Sequence, residues 1–129
     1  MQTLYSNSDT LQQYEHADWL KAIEFYKDDL VVLQKRLAEL GLKTTRQSVL
    51  AGIEHFQNQF IVQKNNLDEL HHYVHEHILH VQNKFHSSAG SKELELTGEH
   101  EKRKAEFESL EKVMYELRKE FNRFLAKWL

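Results

Sequence analysis

The sequence predicts an all-α fold, an antiparallel up-down-up bundle of three long helices that pack in the manner of a coiled coil. Three observations support this prediction. Apolar residues recur with alternating spacings of four and three, strand-like alternation is absent, and the 129 residues include no proline and only four glycines. A repeat that averages about 3.5 residues is typical of the seam of a left-handed helical bundle. Because proline is absent, long helices can run without interruption.

The first helix is predicted over residues 9–40. A start at Ser8, with Asp9 in the first turn, and a start only near His16 are both compatible with the sequence. Gly41 follows the last seam residue, so we expect it to close the helix in the left-handed conformation. The seam of this helix consists of Trp19, Ile23, Tyr26, Leu30, Leu33, Leu37 and Leu40.

The second helix is predicted over residues 46–86, with Thr44 or Thr45 as its N-terminal cap. A helix of this length spans roughly 60 Å. A break at residues 65–66, which are both asparagine, is the alternative, but the apolar repeat continues through them and favours one helix. Gly52 is expected to let another helix approach closely, or to mark a slight bend. The seam consists of Val49, Ile53, Phe56, Phe60, Gln63, Leu67, Leu70, Val74, His77 and Val81.

The third helix is predicted over residues 98–128. The segment 86–91, with three serines and a glycine, is the strongest loop signal in the chain. Thr97 is expected to cap the third helix, and Glu99 then lies in the first turn, where a negative charge is favourable. The seam consists of Phe107, Leu110, Met114, Leu117, Phe121, Phe124 and Trp128.

Composition limits the function classes. A chain of 129 residues suits one domain, residues 1–129. The absence of cysteine excludes disulfides and thiolate metal sites. A net charge of −3 argues against nucleic acid as the main partner, and no apolar run approaches the ~18 residues of a membrane span. The chain also begins without the pattern of a signal peptide, so we expect a cytoplasmic protein with no membrane partner. Since no nucleophile elbow or phosphate-binding glycine loop is present, we expect no enzymatic activity.

Histidines are concentrated in residues 71–80, which hold five of the nine in the chain. Histidine is the commonest metal ligand and also titrates near neutral pH. On the heptad, His77 points into the bundle and His80 flanks the seam beside it. An internal site built on this pair needs further ligands from the other helices, and His16 and His100 occupy seam positions there.

A weaker candidate lies on the surface, where His71 and His75 are one helical turn apart and face outward. The alternative to any metal site is that these histidines are solvated or form hydrogen bonds within the core. The sequence therefore predicts no cofactor, with a divalent transition metal as the alternative.

Some apolar residues lie off the seam, and Phe25, Val32 and Val62 are the hardest to bury in a three-helix bundle. Exposed apolar residues that cluster usually mark a partner surface. The sequence therefore predicts a non-enzymatic interaction or scaffold protein that forms a homodimer or binds a helical partner. The alternative function is a His/Glu metal-binding helical bundle.

Overall fold

The structure, a computed structural model, describes residues 7–83 and 90–128 and confirms the predicted three-helix bundle. The helices are α1 (Asn7–Leu42), α2 (Gln47–Asn83) and α3 (Gly90–Trp128). Helix α2 packs closely against both α1 and α3, whereas the backbones of α1 and α3 come close to each other at few points. Within the described residues, no helix combines the length and the apolar character that crossing a membrane requires.

The predicted seams form the core. All ten seam positions predicted in α2 are buried, including the two polar residues Gln63 and His77. In α1 every seam residue is buried except Tyr26, which is partly buried and donates its hydroxyl hydrogen to Glu111 of α3 at 2.9 Å. In α3 the predicted seam residues Leu110, Phe124 and Trp128 are only partly buried, and Leu125, which was not predicted, is buried near the end of the helix.

Aromatic side chains fill the end of the core near the connection between α1 and α2. The ring of Phe121 lies 5.2 Å from that of Phe56 and 5.1 Å from that of Phe60, and Phe124 lies 5.0 Å from Phe56. Gly52 makes room for this packing, since a Cβ atom at that position would lie 2.7 Å from Cζ of Phe124. The close approach of another helix that was predicted at Gly52 is confirmed.

The connection between α1 and α2 differs from the prediction at Gly41. This glycine belongs to α1, and no glycine among the described residues has a positive φ. The helix closes instead through a hydrogen bond from the Lys43 amide to the Leu40 carbonyl at 3.0 Å. Such a tight last turn satisfies a terminal carbonyl without a left-handed residue. At the start of α2, the Thr44 hydroxyl accepts a hydrogen bond from the Arg46 amide at 3.2 Å.

Helix α2 runs through residues 65–66 without a break, which confirms the single long helix. The predicted end of this helix at residue 86 lies outside the described residues. Helix α3 begins at Gly90, and the predicted start at residue 98 is wrong. Thr97 is not a cap, because its hydroxyl donates to the Glu93 carbonyl within the helix at 2.9 Å. Burial of Leu96 gives these added turns an apolar contact with the bundle.

Candidate metal centre

Three histidines, one from each helix, meet in the core at the end opposite the aromatic cluster. His16 lies on α1, His77 on α2 and His100 on α3, and one ring nitrogen from each lies within 4.8 Å of the other two. Their exposures are 3%, 0% and 2%. Each occupies a seam position, so the same repeat that buries leucines elsewhere carries these imidazoles inward.

The rings of the three histidines pack against each other and against the ring of Trp19. The ring centroid of His16 lies 4.8 Å from that of His77 and 5.0 Å from that of His100. Trp19 packs against His16 and His100, with ring centroids 5.3 Å and 5.0 Å away. Nε2 of His16 lies 2.9 Å from Nδ1 of His100, so these two nitrogens share one proton in a hydrogen bond.

His77 has a free nitrogen in this cluster. Its Nδ1 lies 2.8 Å from Oε1 of Glu99, whereas its Nε2 is buried and has no hydrogen-bond partner. Buried polar nitrogens without a partner are rare, because burial without a hydrogen bond costs free energy. Because Glu99 holds Nδ1, this free nitrogen is the one that His77 can offer to a metal ion shared with the other two histidines.

Burial keeps two of these imidazoles neutral. It lowers the pKa of His16 to about 4, and the nearby His77 and His100 add to this effect. Burial also lowers the pKa of His77, although the hydrogen bond and the charge of Glu99 oppose it. The neutral form is the one that coordinates a metal. At pH 7 these two side chains are therefore already in the state that binding requires.

Glu99 connects the buried cluster to an exposed histidine. Its Oε1 lies 2.9 Å from Nδ1 of His80, and the same oxygen accepts the hydrogen bond of His77. Burial raises the pKa of Glu99, but the hydrogen bonds from His80 and His77 outweigh this effect and hold it below its usual range. Glu99 and His80 also line the groove of about 1120 Å³ between α2 and α3.

The remaining predicted ligands lie elsewhere. The structure places His80 outside the three-histidine cluster, where it is half-exposed and bound to Glu99. His71 lies 3.7 Å from Glu24 of α1, and His75 is exposed. Among residues 7–83 and 90–128, the group with metal-ligand spacing consists of His16, His77 and His100.

Glu15 is a site residue that the sequence reasoning missed. Its Oε1 lies 3.5 Å from Nε2 of His100, and its other carboxylate oxygen lies 3.7 Å from Nζ of Lys104. A sequence signal was present, because Glu15 directly precedes one buried histidine just as Glu99 precedes another.

The fold and the site define an all-α three-helix bundle with a buried cluster of three histidines. Comparison of the chain with protein-family models, with curated proteins and with solved structures finds no match. The geometry of the site and the chemistry of its donor atoms therefore carry the functional argument.

Proposed function

We propose that this protein binds one divalent transition-metal ion at His16, His77 and His100. Two observations carry the proposal together: Nε2 of His77 is buried without a partner, and one ring nitrogen from each of the three histidines lies within 4.8 Å of the other two. A bound ion would give this nitrogen a partner.

The donor set favours particular metals. Three imidazole nitrogens suit zinc, copper, nickel, cobalt and iron, whereas calcium and magnesium prefer oxygen ligands. The chain has no cysteine that could provide a softer thiolate ligand. Zinc and cobalt(II) are the most useful probes, because both accept tetrahedral coordination by nitrogen.

The present spacing is close to that of a metal site. Zinc–nitrogen bonds of about 2.0–2.1 Å at tetrahedral angles place ligand nitrogens roughly 3.3 Å apart. Nε2 of His16 and Nδ1 of His100 are 2.9 Å apart, and all three ligand atoms lie within 4.8 Å. Binding therefore requires that the hydrogen shared by these two nitrogens move to the other nitrogen of its own ring, so that both rings stay neutral, and a closure of about 1.5 Å at most between ring nitrogens.

The burial of the ligands favours a structural role for the ion. With exposures of 3% or less, the three rings leave no surface on which a substrate would approach the ion. An ion at this position would join all three helices, including α1 and α3, whose backbones come close to each other at few points. Metal binding to the folded state alone adds directly to the free energy of unfolding.

Calorimetric titration of the metal-free protein with zinc tests the proposal. We expect one ion per chain, a cobalt(II) spectrum of tetrahedral type, and loss of both in His77→Leu. His75→Ala is the matched control, because His75 lies on the same helix but is exposed, and this variant should bind as the wild type does. Lack of stoichiometric binding, or binding that disappears in His75→Ala, contradicts the proposal.

A second candidate function, self-association as an interaction or scaffold module, is supported by exposed apolar side chains on α1. Phe25 is 60% exposed and Val32 is 44% exposed, and they lie two turns apart on one side of the helix. Val62 is 47% exposed. It lies on α2, two turns before Glu69 and on the same side of the helix, and Glu69 lines the groove between α2 and α3. Val62 therefore belongs to a different surface from Phe25 and Val32.

Phe25 and Val32 therefore carry this candidate, and we propose a homodimer formed through them. Replacing both residues by glutamate should give a folded monomer in light scattering. A wild-type protein that is already monomeric, or a double variant of unchanged mass, contradicts it.

A further inference from the structure

Two glutamates lie behind ligand rings of the three-histidine centre. Glu99 of α3 contacts Nδ1 of His77 on α2, and Glu15 of α1 lies near Nε2 of His100 on α3. Each glutamate immediately precedes a histidine of the centre in the sequence. Because successive helical residues are about 100° apart, an inward histidine leaves the preceding side chain directed at the neighbouring helix. Each of these glutamates thus supports a ring on another helix.

We propose that Glu99 is a positioning residue of the metal centre, which holds His77 in the tautomer whose Nε2 lone pair faces His16 and His100. The inference rests on the proposed metal-binding function and adds a residue that binds no metal itself. Metal-ligating histidines commonly donate their other ring N–H to a carboxylate, and loss of that partner typically weakens metal binding 10–100-fold.

The hydrogen bonds of His77 determine its tautomer. A carboxylate only accepts, so the nitrogen of His77 that lies 2.8 Å from Glu99 carries the hydrogen. A neutral imidazole has one hydrogen on nitrogen, which leaves the lone pair on Nε2. That atom is buried without a partner. The ring of His77 lies 4.8 Å from that of His16 and 5.6 Å from that of His100 between centroids, and because Glu99 holds Nδ1, Nε2 is the nitrogen that His77 can offer to a shared ion.

His80 holds Glu99 from the solvent side. Its Nδ1 lies 2.9 Å from Oε1 and 3.2 Å from Oε2 of Glu99, so the carboxylate is fixed between an exposed and a buried histidine. The contact of Glu15 with His100 is longer, at 3.5 Å, and Lys104 also attracts this carboxylate. Glu15 is therefore the matched control, since it is the same residue type in the same sequence context but does not contact His77.

Nitrogen-15 NMR of the metal-free protein tests the tautomer without any metal. Long-range correlations of the His77 ring should show the hydrogen on Nδ1 in the wild type. Glu99→Ala should move it substantially to Nε2, whereas Glu99→Gln should keep it on Nδ1, because the amide oxygen still accepts. Glu15→Ala should leave the hydrogen of His77 on Nδ1. A hydrogen on Nε2 in the wild type, or an unchanged tautomer in Glu99→Ala, overturns the proposal.

Zinc titration provides the second measurement. We expect Glu99→Ala to weaken zinc binding 10–100-fold, with partial recovery in Glu99→Gln and an unchanged type of cobalt(II) spectrum. Equal affinity in Glu99→Ala and the wild type overturns the positioning role and leaves the metal site standing. No zinc binding by the wild type overturns the metal site and, with it, any role of Glu99 toward a metal. If Glu99→Ala does not fold, Glu99→Gln and the wild-type tautomer still decide the proposal.

Discussion

Acidification should lower the free energy of unfolding of the metal-free protein, because His16 takes up a proton when the chain unfolds. The folded-state pKa of His16 is about 4, against its ordinary value of 6.5, because burial and then the neighbouring His77 and His100 disfavour its charged form. Between these two pH values the unfolded chain binds a proton at this position that the folded chain does not. The free energy of unfolding therefore falls as the pH is lowered through this window, and the contribution is fully present only above about pH 6.5.

The size of this effect follows from the two pKa values. A difference of about two and a half pH units, at about 1.4 kcal/mol per unit, corresponds to a loss of about 3–4 kcal/mol as the pH falls from above 6.5 to below 4. His77 acts in the same direction, because its pKa is also lowered. Of the charged groups around them, Glu99 contacts His77 and Glu15 lies near His100. The hydrogen bond and the charge of Glu99 act to raise the pKa of His77, but the net effect is still a lowered pKa.

Urea denaturation of the metal-free protein at several pH values between 7 and 4 measures this loss. The variant His16→Leu removes the titrating ring and keeps an apolar side chain beside Trp19, so its stability should fall less over the same range. The slopes of the free energy of unfolding against pH should differ between the two proteins by nearly the amount that one bound proton causes, about 1.4 kcal/mol per pH unit. Parallel loss of stability in the wild type and His16→Leu would refute the reasoning, because the acid sensitivity would then come from other groups.

Three further predictions concern packing and binding. Gly98→Ala should raise the free energy of unfolding by about 0.5–1 kcal/mol, since a Cβ atom there meets nothing within 4 Å and alanine favours the helix interior; urea denaturation that shows destabilisation contradicts this. Gly52→Ala has the same helical benefit but crowds the ring of Phe124, so overpacking of about 1–3 kcal/mol should cancel or exceed it, and a gain equal to that of Gly98→Ala would show that the ring moves freely. Zinc at about a hundredfold excess over its dissociation constant should add about 2.7 kcal/mol to the stability, and thermal denaturation of His77→Leu should show no such gain.

The core could be predicted from the sequence because one physical rule determines it. Every seam residue predicted in α2 is buried, from Val49 to Val81, because a helix of 37 residues with an unbroken heptad presents one stripe to its neighbours. The helix ends were predicted less well. At Gly41 and Thr97 the local signals for termination and capping did not apply, since both residues lie within a helix, and at Thr97 the earlier turns of α3 bury Leu96 against the bundle.

The candidate site was predictable only in part. The heptad places His16, His77 and His100 on inward positions, and short connections bring them to similar levels, but the sequence does not set the register to within one turn. The hydrogen bonds between side chains of the site could not be predicted from the sequence. Whether Glu99 reaches His77, and whether Nε2 of that ring has a partner, depends on differences of a few tenths of an ångström in the positions of the helices.

The two ends of this core are held by different kinds of contact. Near the first connection, Phe56, Phe60 and Phe121 pack through ring contacts, and none of these three side chains carries a group that binds protons or metal ions. At the other end, the packing depends on imidazoles, whose protonation and metal binding change with pH and with the zinc concentration. Amide hydrogen exchange should therefore be polarised, with slow exchange around Phe60 under all conditions and exchange around His77 that accelerates in acid and slows with zinc. The histidine end would then open as a separate cooperative unit while the aromatic end stays folded.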